Sequence, residues 1–440
     1  MGNNLQRRTE FVSFDGSIRV TTLHQRPDRY RHLDKILDRT LIARGGGYAY
    51  SAASFGANSC AIEMTAFDRM LNFDQAKSTL EVEAGARVID VCKWAIHRGL
   101  QVPVIPGYPL VTIGGCIAAD VHGKNPWRDG TFADWVRAVT IFHPDKGYVN
   151  VSSDYDPALF DMTCGGFGLS GVIVNATLEL TPLPGTDMDL TFQPVHTLSE
   201  AVELLAASAE DFCYSWHDAT PGKNFGRGLV TSGRWVQSEN VDPLFRFRPM
   251  NARTRAALPM SLWNSSTVRC ANALFYRMNG QWRPRRRMNL LDAAFPLARN
   301  TAYLAGFGRS GMREMQILLD ATSINSFARA LEQLTARERQ PLIMASLKRF
   351  RGRQRSLSPT GAGYLIAIDF LPGKAADRLM TQIDGLMLEM GGQPNLSKDS
   401  RISGEVAARS IRNYGAFAER LRRYDPSRRF GSELSERIGL

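Results

Sequence analysis

Three glycine-dense segments within the first 171 residues constrain this chain more than any other feature: RGGGYAY at 44–50, PGYPLVTIGG at 106–115 and GGFGLSG at 165–171. Glycine tolerates positive φ and lets a main-chain N–H approach a ligand with no side chain in the way, so such loops cradle a pyrophosphate with backbone donors. Any one of them is equally explained as a tight turn. Three of them in one α+β stretch point to a large phosphate-bearing cofactor. A Rossmann fingerprint would need GxGxxG between a strand and a helix, with an acid about 20 positions later. The first loop runs instead into SAAS and the second into IAADVHGKN. A Walker A loop is also missing, because Gly123 and Lys124 are followed by Asn125 rather than Ser or Thr.

A length of 440 residues exceeds what one hydrophobic core usually supports, so two domains are expected. Short strands alternate with helices through the first part. STLEVE at 78–83 has period two and 87–98 has helical periodicity, whereas 102–125 is loop-rich. FADWVRAV at 132–139 reads as helix-like, VTIFHP and YVNVSS as strands, and 169–181 as a strand. PLPG at 182–185 is the clearest boundary. Beyond it, helices at 199–208, 323–337 and 375–390 alternate with strands at 188–195, 315–320 and 364–370. The expected division is 1–183, 184–392 as a sheet with packed helices, and 393–440 as a segment returning to the first domain.

The net charge of +11 favours anionic partners such as phosphorylated substrates or acidic lipid headgroups. The arginine-rich runs RPRRR at 283–287 and KRFRGRQR at 348–355 read first as solvated loops. No zinc-finger spacing, RRM-like aromatic signature or basic helix leading into heptads accompanies them, so nucleic acid is not an expected partner. The six cysteines are widely spaced and read as reduced, mostly buried thiols, with no metal-binding cluster. The N-terminal decapeptide has no apolar core of a signal peptide, and Gln6 breaks the myristoylation pattern. No uninterrupted apolar run approaches the length of a membrane span. The expected location is the cytoplasm or the inner face of the plasma membrane, in peripheral contact, with the periplasm as the alternative that lacks a signal peptide.

RGGGYAYS, EVEAGARVIDV, the stretch ending in HGKN at 122–125, and CGGFGLSGVIVNATLEL together resemble the FAD-binding domain of the vanillyl-alcohol-oxidase family. YSWHDA, LFYRMNG, GYLIAIDF, GGQPNLSKDSR and DPSRRFGSEL extend the resemblance over nearly the whole chain, to the branch that oxidises polyprenylphosphoryl ribose. HGKN and SKDSR are its most specific parts. The resemblance implies an α+β fold: a PCMH-type FAD-binding domain plus a substrate domain whose mainly antiparallel sheet is flanked by helices.

It also implies roles for named residues. Arg44, Gly45, Gly46, Gly47, Tyr48 and Tyr50 would meet the FAD pyrophosphate and approach the flavin. Pro106, Gly107, Thr112, Gly114, Gly115, Cys116, Ala119 and His122 would line the cofactor, with Gly123, Lys124 and Asn125 beside it. Gly168 and Gly171 would also meet the cofactor, and Ile173 would approach its adenine side. Many relatives tether the flavin through a histidine after the RGxG run; Tyr48 stands there, which implies non-covalent FAD. His122, Gln316, Lys348 and Lys398 would face the substrate, with Tyr50 near the flavin. Lys398 would stabilise the negative charge of the reduced ring. Ala367 replaces a cysteine that mycobacterial members carry.

The implied reaction is FAD-dependent oxidation of the 2′-hydroxyl to a 2′-keto sugar, the first half of epimerisation to the arabinose derivative. A separate NAD(P)H-dependent short-chain reductase would complete it. An oxygen-using oxidase of a soluble sugar, alditol or aldonolactone is the alternative.

Overall fold

The computed structural model describes residues 7–36, 40–236, 258–299, 301–338, 342–353, 355–359 and 361–440; the first six residues, and with them Gln6, lie outside. The chain is α+β, as expected, and its mixed sheets are built in sequence order. Strands β1 (Arg7–Val12), β2 (Arg19–Gln25), β3 (Leu41–Arg44) and β4 (Cys60–Glu63) form the first, in the order β1-β2-β4-β3. β4 runs parallel to both β2 and β3. The glycines at 45–47 therefore leave the carboxyl end of a buried strand, where backbone amides are free to meet a ligand.

The second sheet is antiparallel, with β5 (Met70–Asp74), β6 (Thr79–Glu83), β8 (Val136–His143), β9 (Gly147–Ser152) and β10 (Val172–Glu179) in the order β5-β6-β10-β8-β9. β7 (Leu100–Gln101) and β11 (Thr181–Pro182) make a short separate ladder. The helix Val88–Ile96 buries Val88, Ile89, Val91, Cys92, Ala95 and Ile96 as its periodicity requires. Two readings need correction. The loop-rich stretch contains a helix, Ile113–Ala118, whose N-cap Thr112 accepts the Gly115 N–H at 3.3 Å. FADWVRAV is a single 3₁₀ turn, Phe132–Trp135, followed by β8, because ladder pairing with β10 outweighs helix propensity.

The third sheet has eight strands: β12 (Asp187–Val195), β13 (Phe212–Asp218), β14 (Gly228–Val236), β15 (Arg285–Asn289), β16 (Arg313–Leu319), β17 (Leu342–Phe350), β18 (Gly363–Phe370) and β19 (Gln393–Pro394). Their order is β15-β12-β14-β13-β17-β18-β16-β19, with antiparallel neighbours throughout. Side chains alternate across it. Met315, Ile317 and Leu319 of β16, Ala345 and Leu347 of β17, and Ile366 and Ile368 of β18 pack on the helices Leu198–Ala207, Ile324–Glu338 and Lys374–Glu389. Each such burial stabilises by roughly 1.5–3 kcal/mol. The other face of the same strands brings Glu314, Gln316, Ser346, Lys348 and Asp369, beside Met344 and Ala367, to the site.

Both arginine-rich runs differ from solvated loops. Arg285, Arg286 and Arg287 lie in edge strand β15, and Lys348 to Phe350 complete β17. Arg355 is buried, 2.8 Å from Asp134 Oδ1. The charge run carried no strand signal because pleating sends its members to different faces.

The segment from 393 begins one strand inside the third sheet, as β19 pairs with β16, and then returns. Ser397 accepts the Tyr50 N–H at 2.9 Å, and Leu41 N–H donates to Arg429 at 2.7 Å. One continuous core holds Ile62, Cys116 and Ile173 together with Phe192, Phe212 and Phe295, and with Leu396, Leu421 and Leu440. Five cysteines are buried, Cys270 is exposed, and none of the six is in a disulfide.

Candidate active site

A cavity of about 640 Å³ lies between the glycine loops and the face of the third sheet that carries Gln316 and Lys348, within the usual range for ligand sites. Arg44, Gly45, Gly46, Gly47, Tyr48 and Tyr50 form one wall. Gly46 has no room for a side chain: a Cβ would sit 2.7 Å from the Leu110 carbonyl and 2.6 Å from the Tyr48 ring. Gly47 has φ +75. The absence of side chains thus lets the first two glycine segments pack together. Arg44 lies 4.3 Å over Phe11 and donates to Ser54 Oγ at 2.9 Å. Burial pulls its pKa down to about 10, with Glu63 acting in the opposite direction.

Pro106, Gly107, Thr112, Gly114, Gly115, Cys116 and Ala119 line the second wall, and Gly168, Gly171 and Ile173 the third. Gly171, at φ +145, would place a Cβ 2.9 Å from the Phe142 carbonyl, so the turn into β10 admits only glycine. A Cβ on Gly107, by contrast, meets nothing within 4 Å.

The HGKN segment divides. His122 and Lys124 line the cavity, whereas Gly123 and Asn125 do not. Gly123 contributes its carbonyl, which accepts from Lys348 Nζ at 3.1 Å. Asn125 turns away, and its amide donates to the carbonyls of Glu210 at 2.9 Å and Asp211 at 3.2 Å. It is a strut towards the third sheet, because its donors are spent on backbone.

Gln316, Lys348 and Lys398 reach the same cavity from β16, β17 and the loop after β19. Burial, the Lys348 charge and, less strongly, that of Lys398 hold the His122 imidazole well below its ordinary pKa, so it is neutral at physiological pH. Burial, then Lys124 and Lys398, likewise push Lys348 down, and burial brings Lys124 to about 8. Lys398 sits 4.1 Å over the Tyr50 ring and 3.5 Å from Glu314 Oε1.

Four residues were missed by sequence reasoning. Glu314 accepts from Gln316 Nε2 at 2.5 Å, and Gln316 Oε1 accepts from Asn395 Nδ2 at 2.9 Å. Asp369 pairs across the ladder with Glu314 and accepts from the Tyr303 hydroxyl at 2.7 Å. Burial, and then the Glu314 charge, raise its pKa far above the carboxylate range. The available signal was an acid at an alternate position of an otherwise apolar strand, as in REMQILL and GYLIAIDF. Ala367 also lines the cavity, paired in register with Gln316 and Ser346.

These residues fit a flavin dinucleotide. Side-chain-free backbone and a desolvated guanidinium suit a pyrophosphate, while three clustered lysines beside a neutral histidine suit an electron-accepting ring that becomes anionic.

A family model for an FAD binding domain matches residues 35–152. The chain is 27% identical to decaprenylphosphoryl-β-D-ribose oxidase of Mycolicibacterium smegmatis over 413 residues, covering 91% of this chain and 90% of that one. It is 30% identical over 363 residues to a Streptomyces coelicolor protein known as the uncharacterized protein in the mprA 5′ region, covering 78% of this chain and 96% of that one. The chain belongs to the vanillyl-alcohol-oxidase family. A more distant member, probable L-gulonolactone oxidase 6 of Arabidopsis thaliana, is 20% identical over 88% of this chain and 72% of its own length. As a member of this family the chain is an FAD-dependent oxidoreductase acting on an alcohol group. Among the described residues, no helix is long and apolar enough to cross a membrane.

Proposed function

We propose that the protein oxidises the 2′-hydroxyl of a polyprenylphosphoryl-β-D-ribose to the 2′-keto sugar. The observation that carries the reading is the gathering of His122, Gln316, Lys348 and Lys398 in the same cavity that the three glycine loops line. A sugar phosphate offers hydroxyls to Gln316 and negative charge to Lys124 and Lys348. Similarity to a decaprenylphosphoryl-ribose oxidase along 91% of the chain supports the same substrate class.

FAD, when bound, supplies the hydride acceptor. Lys398, held by Tyr50 and Glu314, would stabilise the negative charge that the acceptor gains. His122, neutral by burial and by its cationic neighbours, takes the hydroxyl proton. Tyr48 stands against Tyr108, with ring centroids 4.7 Å apart, and burial raises its pKa. A phenol so disposed makes no tether, and FAD is held non-covalently. The keto product passes to a separate NAD(P)H-dependent reductase of the short-chain type, since no dinucleotide fingerprint for a nicotinamide appears in the sequence.

A second reading, oxidation of a soluble sugar, alditol or aldonolactone with oxygen as acceptor, is favoured by the likeness to a gulonolactone oxidase over 88% of the chain. Anaerobic mixing of the flavin-loaded protein with polyprenylphosphoryl ribose decides between them. Rapid bleaching of the flavin is expected. Bleaching by a free sugar or lactone alone, with hydrogen peroxide formed in air, would favour the second reading.

A further inference from the structure

Of the ten large hydrophobic side chains exposed among the described residues, seven lie between residues 260 and 297: Met260, Leu262, Leu274, Phe275, Met278, Trp282 and Leu297. The helix Ser265–Arg277 turns Val268, Asn272 and Tyr276 inward and leaves Leu274 and Phe275 outward. Trp282, beyond it, is 65% exposed. Scattered exposed leucines need no explanation; such a concentration marks a contact surface.

This surface is also the rim of the cavity, because Phe275 and Leu297 are both exposed and part of its lining. Its charge is mainly positive, with Arg287 paired to Asp189 of the neighbouring strand. Residues 258–298 contain six arginines and a single acid, Asp292. Arg269, Arg277, Arg283, Arg285 and Arg287 are exposed among the apolar side chains. Apolar groups with an outward tryptophan, ringed by arginine, match the chemistry of an interfacial segment on a negatively charged bilayer.

We propose that residues 260–297 dock the protein on an anionic lipid surface, with the mouth of the active-site cavity facing the bilayer. This deepens the substrate reading, on which its biological sense rests, by giving a lipid-linked sugar a route from membrane to flavin without leaving an apolar surface. Docking is nevertheless a property of the surface and is measured without substrate.

The test is co-sedimentation of the flavin-loaded protein with vesicles of equal parts phosphatidylglycerol and phosphatidylcholine, against pure phosphatidylcholine, at low salt. Binding to the anionic vesicles, with a blue shift of tryptophan emission, is expected. Arg283→Gln with Arg285→Gln weakens it by roughly tenfold or more, and Leu274→Ser, Met278→Ser and Trp282→Ser together do the same. None of these five side chains lines the cavity, and retained flavin absorbance shows that the variants are folded. Equal affinity for neutral vesicles, no binding, or variants that bind like the parent would overturn the proposal. So would a dimer in sedimentation velocity that the same substitutions dissolve, since the surface would then join two copies of the chain. Vesicle binding without oxidation of polyprenylphosphoryl ribose would leave this surface standing and remove only the substrate reading.

Discussion

The Lys348 ammonium lies 3.3 Å from Nδ1 of His122, and the same ammonium donates to the Gly123 carbonyl at 3.1 Å. β17 is thereby pinned to the HGKN segment, and a cation is kept beside the imidazole. His122 is depressed in pKa partly for this reason. If neutral His122 takes the substrate proton, flavin reduction slows as pH falls through its pKa. Lys348→Met removes a like charge and raises that pKa, so the acid limb of the rate profile moves upward. Stopped-flow reduction across pH reads it; an unmoved limb would show that His122 is not the acceptor.

Lys398 is held against Tyr50 at 4.1 Å and Glu314 at 3.5 Å, so its charge is fixed before substrate arrives. Lys398→Met should slow flavin reduction by about 10² to 10³ while FAD stays bound. Lys398→Arg should recover part of the rate. A reduction rate within a few-fold of the parent for Lys398→Met contradicts the role.

Gly46 and Gly107 separate fold from cofactor. Gly46→Ala forces its methyl against the Leu110 carbonyl and the Tyr48 ring, costing about 1–3 kcal/mol as overpacking. Both the melting temperature of the apoprotein and its flavin uptake fall. Gly107→Ala meets no protein atom within 4 Å, so it leaves the apoprotein's melting temperature unchanged and weakens FAD alone. Equal flavin affinity in Gly107→Ala would move the cofactor away from this wall.

His217 gives a pH dependence of stability. Its Nδ1–H donates to the Gly226 carbonyl at 2.7 Å, which leaves Nε2 to accept from Ser215 Oγ at 2.7 Å. Burial lowers its pKa from 6.5 to about 4. Between these values the unfolded chain binds the proton and the folded chain does not. Stability is therefore complete above pH 6.5 and is lost as pH falls towards 4, by about 3 kcal/mol in all. Urea unfolding of the parent and His217→Gln across this window should show the slope flattening in the variant.

The glycine loops and HGKN were legible because the chemistry demands unusual residues there, and unusual residues show in a sequence. Gln316, Lys348 and Lys398 became legible only through family resemblance, and the structure brings all three to one cavity. Glu314, Asp369, Tyr303 and Asn395 were not seen because they meet from segments more than 50 residues apart: Glu314 meets Asp369 in ladder register, Tyr303 reaches Asp369 from a helix, and Asn395 reaches Gln316 from the loop after β19. Asn125 shows the converse: adjacency in sequence to His122 did not carry it into the cavity, since its amide was needed by the Glu210 and Asp211 carbonyls.

The core that joins Ile173 and Cys116 to Phe192, Phe212 and Phe295 ties the glycine-loop sheets to the third sheet among the described residues. A clamshell motion would strip several large side chains of cover at roughly 1.5–3 kcal/mol apiece. Phe275 and Leu297 stand exposed at the threshold of the cavity, so the pace of turnover should respond to substitutions there more than to any hinge.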